Sequence, residues 1–190
     1  MSAPDPRSGL VLDTHELGRR AGAQKLVHTT VEAPTDMGIE VIGVPAGSPV
    51  GLDLRLESAV EGVLVTGTAT VELRGECVRC LSSVEDGIEV DLQELFVYPG
   101  SEAGEDEASR LEGDLLDLEP VLRDAVVLDL PFQPLCRPDC AGLCPRCGAN
   151  LNDEPDHEHG ADNDPRWDAL LKFERGDKQT YDVASNPGNN

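Results

Sequence analysis

Eight thiol and imidazole side chains constrain this chain more than any other feature. Cys77-x2-Cys80 forms one pair, Cys136-x3-Cys140-x3-Cys144-x2-Cys147 forms a run of four, and His157-x-His159 follows. A two-residue gap lets a chain fold back so that both thiolates point at one tetrahedral ion, with backbone N–H groups turned toward the sulfurs. Zinc prefers four such ligands and accepts mixtures of cysteine and histidine. The eight candidates therefore make two four-ligand sites, and two partitions are open. In the preferred one, Cys77, Cys80, Cys136 and Cys140 staple a mid-chain strand turn to the start of the tail, while Cys144, Cys147, His157 and His159 close a local site. In the other, Cys77 and Cys80 join Cys144 and Cys147, leaving the rest partly free. Spacing does not choose between them.

Blander readings stand beside this one. Some of the thiols can be buried packing residues, and His157 and His159 can decorate a solvated acidic loop. A thioredoxin-like role for Cys77 and Cys80 is disfavoured, because the pair falls between antiparallel strands and not in a βαβ unit. In either partition protein fills every ligand position. The expected cofactor is therefore structural zinc, one or two ions, contributing to folding and not activating water.

The thiols also bear on compartment. Residues 1–7 lack the apolar stretch of a secretory signal, and the longest aliphatic run, residues 125–128, is far too short to span a bilayer. The chain reads as cytoplasmic with no membrane partner, a setting in which clustered thiols are more often ligands than disulfides. Charge narrows the partners further. Asp+Glu 37 against Lys+Arg 15 gives a formal net charge of -22, which excludes a duplex nucleic-acid binder built on a basic face. Aromatics at 3% leave few stacking platforms for single-stranded RNA. The excess is uneven: residues 101–119 hold eight acids and one arginine, and residues 152–164 hold six acids and no base. A basic partner fits such a chain.

Hydrophobic alternation supplies the fold class. Residues 51–60, 63–74 and 88–98 alternate apolar and polar positions, the first two joined through Glu61-Gly62 as a tight hairpin. Residues 9–12, 26–32 and 115–118 add shorter extended segments, residues 16–20 a short helix, and residues 33–38 a loop. Glu119-Pro120 opens a helix with proline in its first turn, and Pro131 ends it. The expected fold is α+β, an antiparallel, barrel-like sheet with a few helices and a C-terminal Cys/His metal-binding tail. Its divisions are a flexible N-terminus at 1–9, an antiparallel α+β domain at 10–135 with an acidic loop at 101–114, and a zinc-knuckle tail at 136–160. A C-terminal helix at 164–175, carrying Trp167, Leu170 and Leu171, and a flexible tail at 176–190 complete the chain. No internal repeat stands out.

Catalytic signatures are missing. There is no glycine-rich phosphate loop ending in Lys-Ser/Thr and no G-x-S-x-G, and His15 and His28 lie in plain segments. The chain does not read as an enzyme.

Three segments resemble the YceD family, described as large ribosomal RNA subunit accumulation proteins. They are residues 73–81 (LRGECVRCL), 120–131 (PVLRDAVVLDLP) and 134–152 (PLCRPDCAGLCPRCGANLN), and residues 164–172 are similar to that family's C-terminal helix. Many such relatives place Cys-x-Cys where His157-Glu-His159 stands here, an exchange that zinc sites accept, and other branches lack the Cys144/Cys147 cluster. The resemblance implies a non-enzymatic role in synthesis, processing or stability of 23S ribosomal RNA and in large-subunit assembly. Family genes stand beside one for a small basic large-subunit protein, so the implied partner is a basic large-subunit ribosomal protein or a pre-ribosomal particle. Arg74, Arg79, Arg137 and Arg146 offer a small basic spot for direct RNA contact, which the overall charge disfavours. A thiol- and zinc-based redox-responsive regulator is the alternative; a ribonuclease lacks an identifiable acid, base or open metal position.

Overall fold

The structure, a computed structural model, describes residues 5, 7–101 and 109–159. In chain order the elements are β1 (Val11–Asp13), a 3-10 turn (His15–Leu17), β2 (Gln24–Glu32), β3 (Met37–Gly38), β4 (Ile42–Val44), β5 (Pro49–Ser58), β6 (Gly62–Glu76), β7 (Ser83–Val97), β8 (Leu115–Asp117) and α1 (Glu119–Asp129).

Alternation places Val50, Leu52, Leu54 and Leu56 of β5 on a buried face, and Val63, Val65, Ala69, Val71 and Leu73 of β6 continue it. The two strands meet in a tight turn, with Ala59 N–H donating to the Gly62 carbonyl at 2.8 Å. Pairing then runs antiparallel from Ser58↔Val63 to Val50↔Val71. β6 is the spine of the sheet. β7 pairs with it along its full fifteen residues, from Gly62↔Val97 to Glu76↔Ser83. On its other side β6 meets β5 and then β4, with β2 outside β5 and β3 outside β4. At Gly67, where φ is +151°, a Cβ would sit 2.0 Å from the Asp53 carbonyl oxygen, so close approach of β5 requires glycine.

The sheet does not close into a barrel. Its apolar face is covered instead by α1, which packs against β3 and β7 through Leu122 and Val126. Leu116 and Leu118, each fully buried, join the same core from β8 and the residue after it. Burying a leucine such as Leu122 completely contributes about 1.5–3 kcal/mol, enough to make helix cover an alternative to further curling. β1 and β8 form a separate two-stranded sheet.

Other expectations also shift. The short helix at 16–20 reduces to the 3-10 turn, because Gly18 leaves helical geometry (φ +56°) and Thr14 gives its hydroxyl to the Asp114 carbonyl instead of capping. The loop at 33–38 ends in β3, which pairs with β4. β7 begins five residues earlier than alternation indicates (Ser83 against Ile88), since its first residues are mostly exposed and leave no apolar period to read. Among the described residues α1 is the one α-helix and none is long and apolar enough to cross a membrane. The expected helix at 164–175 and tail at 176–190 lie outside the described residues, as do 102–108 of the acidic loop.

The outward face of the sheet is polar. Asp53, Thr68 and Asp91 form one cross-strand row, and Gly51, Thr70 and Glu89 the next, with Glu72 beyond Thr70 on β6. Arg55 and Arg74 on this face pair with Glu57 at 2.6 Å and Glu85 at 3.6 Å. His28 pairs with Asp53 at 3.0 Å. Among the described residues no base pairs with Glu72, Glu89 or Asp91.

Candidate metal centre

The β6–β7 hairpin turns through residues 77–82. Cys77 N–H donates to the Ser82 carbonyl and Leu81 N–H donates to the Cys77 carbonyl, both at 2.8 Å. Leu81 occupies the left-handed region at φ +59°, which costs on the order of 1 kcal/mol for a side chain larger than glycine. The turn buries Cys77 completely and Cys80 to 6% exposure. After α1 the chain returns to this hairpin, and Val78 N–H donates to the Pro134 carbonyl at 3.0 Å. That contact delivers Cys136 and Cys140. The Sγ atoms of Cys80 and Cys136 lie 3.5 Å apart, those of Cys77 and Cys140 3.8 Å apart, and all four sulfurs lie within 4.8 Å of one another. Val84, Leu135 and Leu143 pack around the buried sulfurs.

A tetrahedral ion with metal–sulfur bonds of about 2.3 Å has sulfur–sulfur edges of about 3.8 Å. The observed separations fit that figure, so this four-thiol cluster can hold a metal ion. Its electrostatics are arranged for charge. Burial opposes a thiolate at Cys77, but the backbone N–H groups of Cys136, Arg79 and Cys80 outweigh it and bring the pKa down from 9.0 to about 6. The Ser82 hydroxyl and N–H lower that of Cys80. Cys136, beside the Cys80 sulfur and desolvated, is pushed up and keeps a proton that a cation would displace.

A second knuckle repeats the first turn. Cys144 N–H donates to the Ala149 carbonyl and Gly148 N–H to the Cys144 carbonyl, both at 2.8 Å, matching the bonds around Cys77. Gly148, at φ +76°, takes the place of Leu81. The equivalence was hidden in the sequence because leucine disguises the left-handed position in one copy. Gly142 (φ +81°) brings the second knuckle against the first: a Cβ there would sit 3.1 Å from the Arg79 carbonyl, which accepts Leu143 N–H at 3.0 Å.

Cys144 and Cys147 stand on this second knuckle, and His157 and His159 follow further along the chain. The two histidine Nε2 atoms are 2.9 Å apart, and His157 Nδ1 faces a Glu154 carboxylate oxygen at 3.1 Å, an orienting contact common for metal-binding imidazoles. Cys77 and Cys80 are gathered with Cys136 and Cys140, the first quartet of the preferred partition. Sequence reasoning did not find Ser82 or Asn152, which contact the sulfurs, and it placed Arg79 in a basic spot, whereas its guanidinium donates to the Cys140 carbonyl. The Cys-x2-Cys-Leu-Ser pattern was the available signal for the first of these.

The chain is similar to an uncharacterized protein of Mycobacterium tuberculosis, 48% identical over 170 residues that cover 87% of this chain and 82% of that one. An uncharacterized Mycobacterium leprae protein is 43% identical over 167 residues, covering 86% and 76%. The large ribosomal RNA subunit accumulation protein YCED homolog 1, chloroplastic, of Zea mays is 27% identical over 130 residues, covering 52% and 41%. No solved structure matches. The model of the family described as "Large ribosomal RNA subunit accumulation protein YceD" matches residues 65–174, a stretch that contains all eight candidate ligands. The hairpin, the returning segment and both knuckles thus fall within one family match, and the chain belongs to the YceD family.

Proposed function

We propose that this chain is a non-enzymatic ribosome biogenesis factor that supports synthesis, processing or stability of 23S ribosomal RNA and large-subunit assembly by binding a basic ribosomal protein. The family description and the printed name of the maize relative support the ribosomal role. The observation that carries the partner class is the outward sheet face, where Glu72, Glu89 and Asp91 stand beside Asp53 without basic partners among the described residues. Exposed carboxylates on paired strands repel one another and favour a cationic partner.

Three of the four arginines of the basic spot have other partners. Arg79 donates to the Cys140 carbonyl at 3.0 Å, Arg137 to Asn152 Oδ1 at 2.7 Å, and Arg74 faces Glu85. This favours protein over RNA as the direct partner. In the same reading both Cys/His groups hold structural zinc, each closed by four protein ligands.

Affinity capture tests the partner. The tagged chain should recover a basic large-subunit protein, less of it as salt rises, and less again when Glu72, Glu89 and Asp91 are changed to their amides. Recovery of bare RNA with no dependence on protein would overturn the reading. A depletion strain with an unchanged subunit profile and no accumulated precursor 23S RNA would overturn the ribosomal role.

A further inference from the structure

Four thiolates around a divalent ion carry a net negative charge of two, buried in a chain whose own formal charge is -22. Such charge needs hydrogen-bond donors. Cys77 takes them from backbone N–H groups, and Cys80 from Ser82, whose hydroxyl oxygen lies 3.3 Å from the sulfur. Cys140 is served differently. Asn152 Nδ2 donates to its Sγ at 3.4 Å, from a residue twelve positions along the chain.

The Asn152 amide has a single sensible orientation. Its Oδ1 accepts from Arg137 Nη2 at 2.7 Å and from Ala141 N–H at 2.8 Å, two groups that only donate. Its Nδ2 also donates to Asn150 Oδ1 at 2.8 Å, and its backbone N–H reaches the same oxygen at 3.1 Å. The donor face is thereby fixed toward sulfur. A guanidinium on the amide oxygen polarises the group and strengthens the N–H on its far side.

We propose that Asn152, oriented by Arg137, is the positioning residue that holds Cys140 as a metal ligand, through a relay from guanidinium to amide to thiolate. The assignment rests on the zinc reading of the first quartet. It also places the end of the second knuckle, where Leu143 bridges Asn150, in control of a sulfur belonging to the first.

Asn152→Asp separates this role from simple scaffolding. The substitution keeps oxygen acceptors for Arg137 and Ala141 but turns the donor facing Cys140 into a carboxylate oxygen. The full chain is loaded with zinc for chelator competition and with cadmium for NMR, which resolves a four-sulfur site from a mixed sulfur–nitrogen one. Asn152→Asp should weaken the four-sulfur site by about 10- to 100-fold and move its cadmium resonance. Arg137→Ala should move both in the same direction by less. Circular dichroism of the zinc-loaded variants should match wild type. Wild-type affinity and an unmoved resonance in Asn152→Asp would overturn the assignment alone. A wild-type chain with no four-sulfur cadmium resonance would overturn the zinc reading and the assignment with it.

Discussion

Changing Cys136 and Cys140 together to serine should destabilise the domain by an amount that the topology fixes, since either thiol alone would still tie the returning segment to Cys77 and Cys80. Cys80 and Cys136 are 56 residues apart, so a metal joining them closes a long loop in the unfolded chain. The chain-entropy relation for a crosslink of that span gives about 14 cal/mol/K, or about 4 kcal/mol at 25 °C. Serine nearly matches cysteine in volume, so the two substitutions leave almost no cavity to add to the loss. For a domain of this size each kcal/mol moves the melting temperature by about 2–4 °C, which places the expected drop at about 8–16 °C. Thermal melts of zinc-loaded wild type and the Cys136→Ser, Cys140→Ser double variant, followed by circular dichroism at equal concentration, measure it. Chelator added to wild type should lower its melting temperature at least as far. A drop below about 3 °C, with zinc shown to be bound in the wild type, would refute the staple. The packing of Val84, Leu135 and Leu143 would then be holding the two segments together unaided.

Gly67→Ala forces a Cβ to within 2.0 Å of the Asp53 carbonyl, so β5 and β6 must part; a loss on the order of 3 kcal/mol is expected in urea titration. Leu122→Ala removes a fully buried side chain from the helix that covers the sheet and should cost about 2–5 kcal/mol in the same assay. The hydrogen bond from His15 to Asp114, with the charge of that carboxylate, raises the imidazole pKa above 6.5. Stabilisation from this pair is therefore complete below pH 6.5 and fades as pH rises through the folded value; proton NMR should show the His15 titration returning toward 6.5 in Asp114→Asn.

Much of the sheet was legible because one face is buried and the other wet. Leu52, Leu54 and Leu56 declare β5, and Ile88, Val90 and Leu92 declare the inner half of β7. Where that contrast vanishes the signal vanishes too, as in Ser83–Gly87, paired to β6 yet mostly exposed, and in the two residues of β3. Pro120 and Pro131 bracketed α1 correctly, but nothing in its apolar stripe said that it would roof the sheet and leave it open. The partition of ligands was illegible for a different reason. Spacing sets which thiols share a turn, whereas the choice of quartet depends on the return of the chain to Val78 through Pro134, a contact between positions far apart in sequence. Asn152 was invisible for the same reason, since only the folded knuckle brings its amide to Cys140.

Native mass spectrometry of the purified chain counts the metal ions that the two knuckles hold. Two zinc ions per chain are expected, falling to one when Cys77 and Cys80 are both changed to serine. A chain at its metal-free mass with six freely titrating thiols would contradict that count.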